Sequence, residues 1–292
     1  DKVVTRVQCY IMRLNLGSFC ALLTGQQPSL RSNIARPFGS RVFAAMYASS
    51  TAAADANAAP GDQETLTILG FGSLLSEKSA RTTFPDLQHF RLGRLPGYRR
   101  VFAHPADIFF QRGIADLTTK QMSSLSVEPF EGAACIVTVF EVPNKDMMED
   151  GTPCRAFLER EAEFDIVPAP YYELDQDSPK YSPEPKEGIV CKRSTDEAFI
   201  QRWGKEHFKE AYGKYGIDTI WGWSEDSGLR PCAVYLRHCY LAAKGMGDNC
   251  LRSFLSDTFL VDRKTTVGEY LAQHPEVLET QPPPELAERY GG

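Results

Sequence analysis

The chain has 292 residues, 42% of them apolar and 24% charged, with a formal net charge of −6. That composition supports a sizeable buried core in one or two domains and excludes a disordered or fibrous chain. An acidic chain without a basic tract is poorly suited to nucleic acid, whose binding rests on phosphate neutralisation, and no stretch approaches the roughly 18 consecutive apolar residues that would span a bilayer.

In chain order, the first segment is set apart from the fold. Residues 2–54 contain no Asp or Glu, yet hold Lys2, Arg6, Arg13, Arg31, Arg36 and Arg41 among many serines. The Ala-rich run "AAMYASSTAAADANAAP" follows. Basic, hydroxylated, acid-free sequence is the composition of an organelle transit peptide. On that reading the protein is organellar, in chloroplast or mitochondrion. Read as a tail without an address, the segment leaves it cytoplasmic. Residues 1–62 are therefore treated as a targeting or disordered segment, 63–275 as the folded domain, and the Pro-rich 276–292 as a tail.

The domain opens with "TLTILGF", a short β-rich run that predicts a buried strand. "FRLGRLPGYRRVFAHP" predicts further strand pieces, cut by Gly93, Pro96 and Gly97. "GAACIVTVFEVP" is the strongest strand signal, closed by Pro143. "TPCRAFLEREAEFDIV" predicts a short helix entering another strand. Residues 168–187, with five prolines, read as a loop or flap. "STDEAFIQRWGKEHFKEAYGKYG" reads as helix, capped by Ser194 or Thr195. "RPCAVYLRHCYLAAKG" predicts a helix ending at Gly245, and Thr266 with Glu269 forms a capping box. Strands first and helices afterwards predict an α+β fold and exclude alternating βαβ units.

Two stretches carry chemistry. The first strand ends in Gly70-Phe71-Gly72-Ser73. A dinucleotide-binding fingerprint would need Gly at 75, which is Leu. A nucleophile elbow would need Gly at 71 and 75. What remains is bare backbone able to turn sharply, with the N–H groups of Gly72, Ser73 and Leu74 placed to converge on an anion such as a carboxylate. The competing reading is a plain strand-to-helix turn. The second stretch is "AFLEREAEF", 156–164. On a helix, Phe157 and Leu158 flank Glu161. A carboxyl beside apolar side chains has its pKa pushed up, which suits a general acid/base. The competing reading is a solvated face with Glu159, Arg160, Glu161 and Glu163 in surface pairs. The eight cysteines include no C-x-x-C pair, and the five histidines share no metal-ligand spacing.

Taken in order, "ILGFGSLL", "GYRRVF" at 97–102, Arg112-Gly113 and "FLERE" at 157–161 resemble the γ-glutamylcyclotransferase-like superfamily, nearest its ChaC-like glutathione-specific branch. The resemblance covers residues 66–165. It implies a compact mixed β-barrel flanked by helices, with a helical C-terminal part. It implies a turn at Phe71, Gly72, Ser73 and Leu74 that holds the α-carboxylate of a γ-glutamyl group, and a catalytic Glu161. The activity implied is cyclisation of the γ-glutamyl group of glutathione, or a related small molecule, to 5-oxoproline, with no metal or cofactor. Phe71 and Phe157 stand where the family pattern has Tyr, and the Gly-Tyr that follows the glutamate in the branch is absent, with Tyr171 and Tyr172 the nearest aromatics of that kind. A non-catalytic γ-glutamyl-binding or regulatory protein is the alternative, and the oligomeric state stays open.

Overall fold

The fold is built from five strands whose ends meet. In the computed structural model, residues 65–143, 148–149, 152–174 and 180–291 are described; the segment 1–62, expected to carry an address, lies outside them. β1 (Thr65–Gly70) buries Leu66, Ile68 and Leu69. β2 (Gln88–Pro105) and β3 (Gln121–Pro143) form one long antiparallel hairpin. β2 is thus a single strand, where separate pieces were expected. Pro96 and Gly97 lie at a shift in register, with Gly97 at φ 74°, opposite the four-residue excursion 130–133 of β3, so residues that read as breaks are absorbed where the pairing is interrupted. β4 (Asp165–Glu173) and β5 (Lys186–Lys192) are also antiparallel. This corrects the expected loop over 168–187: Pro168 and Pro170 sit inside β4. That strand meets β2 only at Tyr172 and Glu173, so most of its length has one partner and tolerates missing N–H groups.

Around the ring the order is β3, β1, β5, β4, β2 and back to β3. The β1–β5 contact is parallel, through Ile68 and Ile189; the other four are antiparallel. The ring closes through two short contacts, β1 with β5 at one residue pair and β4 with β2 at two, and through three long ones. Two short strands, β6 (Arg230–Pro231) and β7 (Thr258–Phe259), add to β3 and β2 from outside.

Helices cover the barrel: α1 (Glu77–Thr83), α2 (Asp107–Gln111), α3 (Arg155–Arg160), α4 (Asp196–Trp203), α5 (Lys205–Ala211), α6 (Ala233–Gly245), α7 (Asp248–Ser256), α8 (Val267–Gln273) and α9 (Ala287–Tyr290). The single helix expected after Thr195 is two, divided at Gly204, whose φ of 90° no helix accommodates. Thr195 caps α4, and the Thr266–Glu269 capping box is present at α8. The architecture is α+β, a closed mixed barrel flanked by helices. No helix among the described residues is long and apolar enough to cross a membrane. The Pro-rich segment read as a tail is packed down, with Val277 and Tyr290 buried.

One charged cluster pins strand to loop. Glu128 on β3 accepts hydrogen bonds from Arg99, Arg193 and Arg263. Burial alone would push its carboxyl up; the bonds from Arg263 and Arg99 outweigh that and hold it below the usual range. Because the folded pKa is lowered, the stabilisation is present above the unfolded value, about 4.3, and is lost as pH falls through the folded one. Glu128→Gln leaves three guanidinium groups without a counter-charge. It is expected to cost about 3 kcal/mol, roughly 6–12 °C in melting temperature at pH 7. Circular dichroism melts should show that difference shrinking as pH falls below about 4.

Candidate active site

The Gly-rich turn forms the floor of a cleft. After Gly70 the chain passes through Phe71 and Gly72 into a single 3₁₀ turn, Ser73–Leu75, and Ser76 then caps α1 by accepting from the Ser79 N–H. Within the turn the Leu75 N–H donates to Gly72 and the Ser76 N–H to Ser73. The N–H groups of Gly72, Ser73 and Leu74 donate to no group among the described residues. The turn is held from behind by Thr138, whose hydroxyl donates to the carbonyls of Leu74 (2.9 Å) and Gly70 (3.3 Å). Both glycines are required by space. A Cβ on Gly70 would lie 2.5 Å from the Thr138 hydroxyl, and one on Gly72 would lie 2.8 Å from the Tyr235 hydroxyl.

A second part of the lining comes from the end of α3. Glu161 is the residue at which that helix stops, and its side chain is 17% exposed. It lines the same cavity, of about 170 Å³, as Phe71, Gly72, Ser73 and Leu74. All five residues singled out in the sequence therefore meet at one cleft. Burial pushes the Glu161 carboxyl up; Arg160, 3.0 Å away, pulls it back, and Glu163 raises it further. The Arg160 guanidinium is itself fixed over the Phe84 ring, 4.2 Å from its centroid. Cys191 on β5 also lines the cavity, its thiol pushed well above its ordinary pKa by burial and by the neighbouring Glu161.

Other details depart from the sequence reading. Phe157 lines the cleft, but Leu158 does not; it packs against the apolar cluster that Phe157 belongs to. The charged stretch divides in two. Glu159 forms an exposed pair with Arg155, whereas Glu161 and Glu163 turn into the cleft. Tyr171 is buried within an Arg91–Glu141–Glu173 cluster, and neither it nor Tyr172 lines the cavity. Arg100 of the "GYRRVF" stretch is wholly buried, donating to the carbonyls of Ile136 and Ser253 and to the Thr258 hydroxyl. Of the histidines, His104 is sealed between Trp221 and Phe164 and its pKa is pushed down to about 3, chiefly by burial. Residues that the sequence did not single out complete the cleft: Tyr235 from α6, and Arg289 and Tyr290 from α9. They lie far along the chain from the turn, and only the fold brings them to it.

No protein-family model matches the sequence, and no curated protein matches it. Among solved structures, one described as a γ-glutamyl cyclotransferase is 10% identical, over 51% of this chain and 86% of its own, with a TM-score of 0.31. A yeast γ-glutamyl cyclotransferase specific to glutathione is 13% identical, over 74% of this chain and 96% of its own, with a TM-score of 0.38. An uncharacterized human protein is 11% identical, over 51% and 86%, with a TM-score of 0.30. In its ordered sequence features and its closed, helix-flanked mixed barrel, the chain resembles the γ-glutamylcyclotransferase-like superfamily.

Proposed function

We propose that the chain is a γ-glutamylcyclotransferase, converting a γ-glutamyl compound, glutathione or a relative, to 5-oxoproline with release of the amine or peptide. The observation that carries the reading is a largely buried carboxyl, Glu161, lining one cleft with backbone amides that have no partner among the described residues. The γ-glutamyl group supplies its own nucleophile. Its α-nitrogen attacks the γ-carbonyl carbon, a new C–N bond closes the five-membered lactam, and the original amide C–N bond breaks. The α-amine is mostly protonated at neutral pH, with an ordinary pKa near 8. On the way from ammonium to lactam N–H that nitrogen gives up two protons; Glu161 takes them in turn and passes them to the departing nitrogen, which leaves as an ammonium group, a shuttle that a raised carboxyl pKa favours. The amides of Gly72, Ser73 and Leu74 receive the α-carboxylate and hold the glutamyl chain curled for attack.

The test is the full chain incubated with glutathione, γ-glutamyl-alanine and γ-glutamyl-lysine, scored by 5-oxoproline release. Release from any of them supports the reading. Thermal stabilisation by these compounds without 5-oxoproline would replace it with the non-catalytic binder; Phe71, in place of a Tyr hydroxyl, is the feature that points that way.

A further inference from the structure

Glu163 has a role that a surface pair would not give it. Its Oε1 is clamped: the Tyr212 hydroxyl donates to it at 2.6 Å and the Asp107 N–H at 3.3 Å. No hydrogen bond among the described residues reaches its Oε2. Two anchors on one oxygen fix the rotamer and leave the other oxygen for something else. The surrounding charges sharpen this. Arg160, Glu161, Glu163 and Arg289 are the charged residues lining the cavity, and Arg160 and Glu161 pair with each other. Glu163 and Arg289 form no ion pair among the described residues. Among the described residues the cleft thus presents one carboxylate and one guanidinium without an ion-pair partner, beside amides without an acceptor. A zwitterionic amino-acid head group is the complement of that pattern.

Resting on the function proposed above, we infer that Glu163 is the anchor for the α-ammonium group of the substrate. Its free oxygen receives the ammonium while the turn receives the α-carboxylate. This orients the α-nitrogen beside Glu161, two residues earlier, which removes the proton. One carboxylate holds and the other carries; Glu163 itself gains no proton in the step. Tyr212 on the far side serves only to fix Glu163, and burial with the Glu163 charge keeps its phenol protonated.

The test compares substrates with and without the α-amine. Glutathione and γ-glutamyl-alanine are paired with their deamino analogues, glutaryl-cysteinyl-glycine and glutaryl-alanine, which cannot cyclise and are read as competitive inhibitors. In full-length Glu163→Gln, KM for the amine-bearing compounds is expected to rise about tenfold to a hundredfold, the span of one charge-assisted hydrogen bond. The inhibition constants of the deamino analogues should stay unchanged. Glu163→Asp, which keeps the charge on a shorter arm, should give an intermediate KM with the same split, and stands in if the Gln variant fails to fold. A parallel loss for both members of each pair, or no change for either, overturns the inference while wild-type turnover leaves the function standing. A wild-type protein that neither turns over nor binds any of these compounds overturns the function, and the role of Glu163 with it.

Discussion

Glu161→Gln is expected to abolish 5-oxoproline formation, a loss of about 10²–10⁴-fold, while the protein remains folded. The two halves of that result arise from one environment. Burial raises the Glu161 pKa, which means that the folded state disfavours its charged form relative to the unfolded chain. Above the unfolded value the ionised side chain therefore works against folding. A neutral amide of the same shape removes that cost. Arg160 loses its partner but keeps its seat over Phe84 and remains partly open to solvent. The melting temperature should consequently be unchanged or slightly higher. A variant that is both inactive and unstable would assign Glu161 a structural role, and a fully active variant would remove it as the proton carrier.

Gly70→Ala is expected to damage the site from the other side. Its new methyl carbon would meet the Thr138 hydroxyl at 2.5 Å and the Leu74 Cβ at 2.7 Å. Neither neighbour has room to yield. Thr138 is wholly buried and bonded to the carbonyls of Gly70 itself and of Leu74. The chain must shift, at about 2 kcal/mol, or roughly 4–8 °C. That shift falls on the amides of residues 72–74. KM for a γ-glutamyl compound should rise with kcat less affected, a split that a purely global destabilisation would not produce. Differential scanning fluorimetry and steady-state kinetics on the same preparation check both effects. An unaltered KM would mean that the turn does not hold the substrate.

How much of this was legible beforehand depends on range. The turn could be read because its signal is local: two glycines at the end of an apolar run force bare backbone wherever the chain goes next. Glu161 was legible as a candidate through apolar residues close in sequence. The α+β order followed from β-rich segments preceding amphipathic ones. Glu163 was not legible, because a helical reading of 156–164 places it among surface charges. The helix in fact stops at Arg160, and a turn over residues 161–164, closed by the Phe164 N–H donating to the Glu161 carbonyl, brings residues 161 and 163 to the same cleft. The prolines of β4 and the register shift at Pro96–Gly97 misled for a related reason. Proline and glycine signal interruption locally, and only the pairing partners decide whether a strand absorbs it. Tyr235, Arg289 and Tyr290 reach the cleft through packing across the whole domain, which no short spacing encodes.

The place of β5 in the ring has a consequence for synthesis on the ribosome. β1 can pair with β3 as soon as Pro143 has emerged, but its other edge waits for Ile189. Forty-six residues, 143 to 189, separate these events, a few seconds at ~5–20 residues per second. Through that interval the nascent chain displays Ile68 and Leu69 on an unzipped seam, the kind of surface that recruits chaperones or seeds association between neighbouring polysomes.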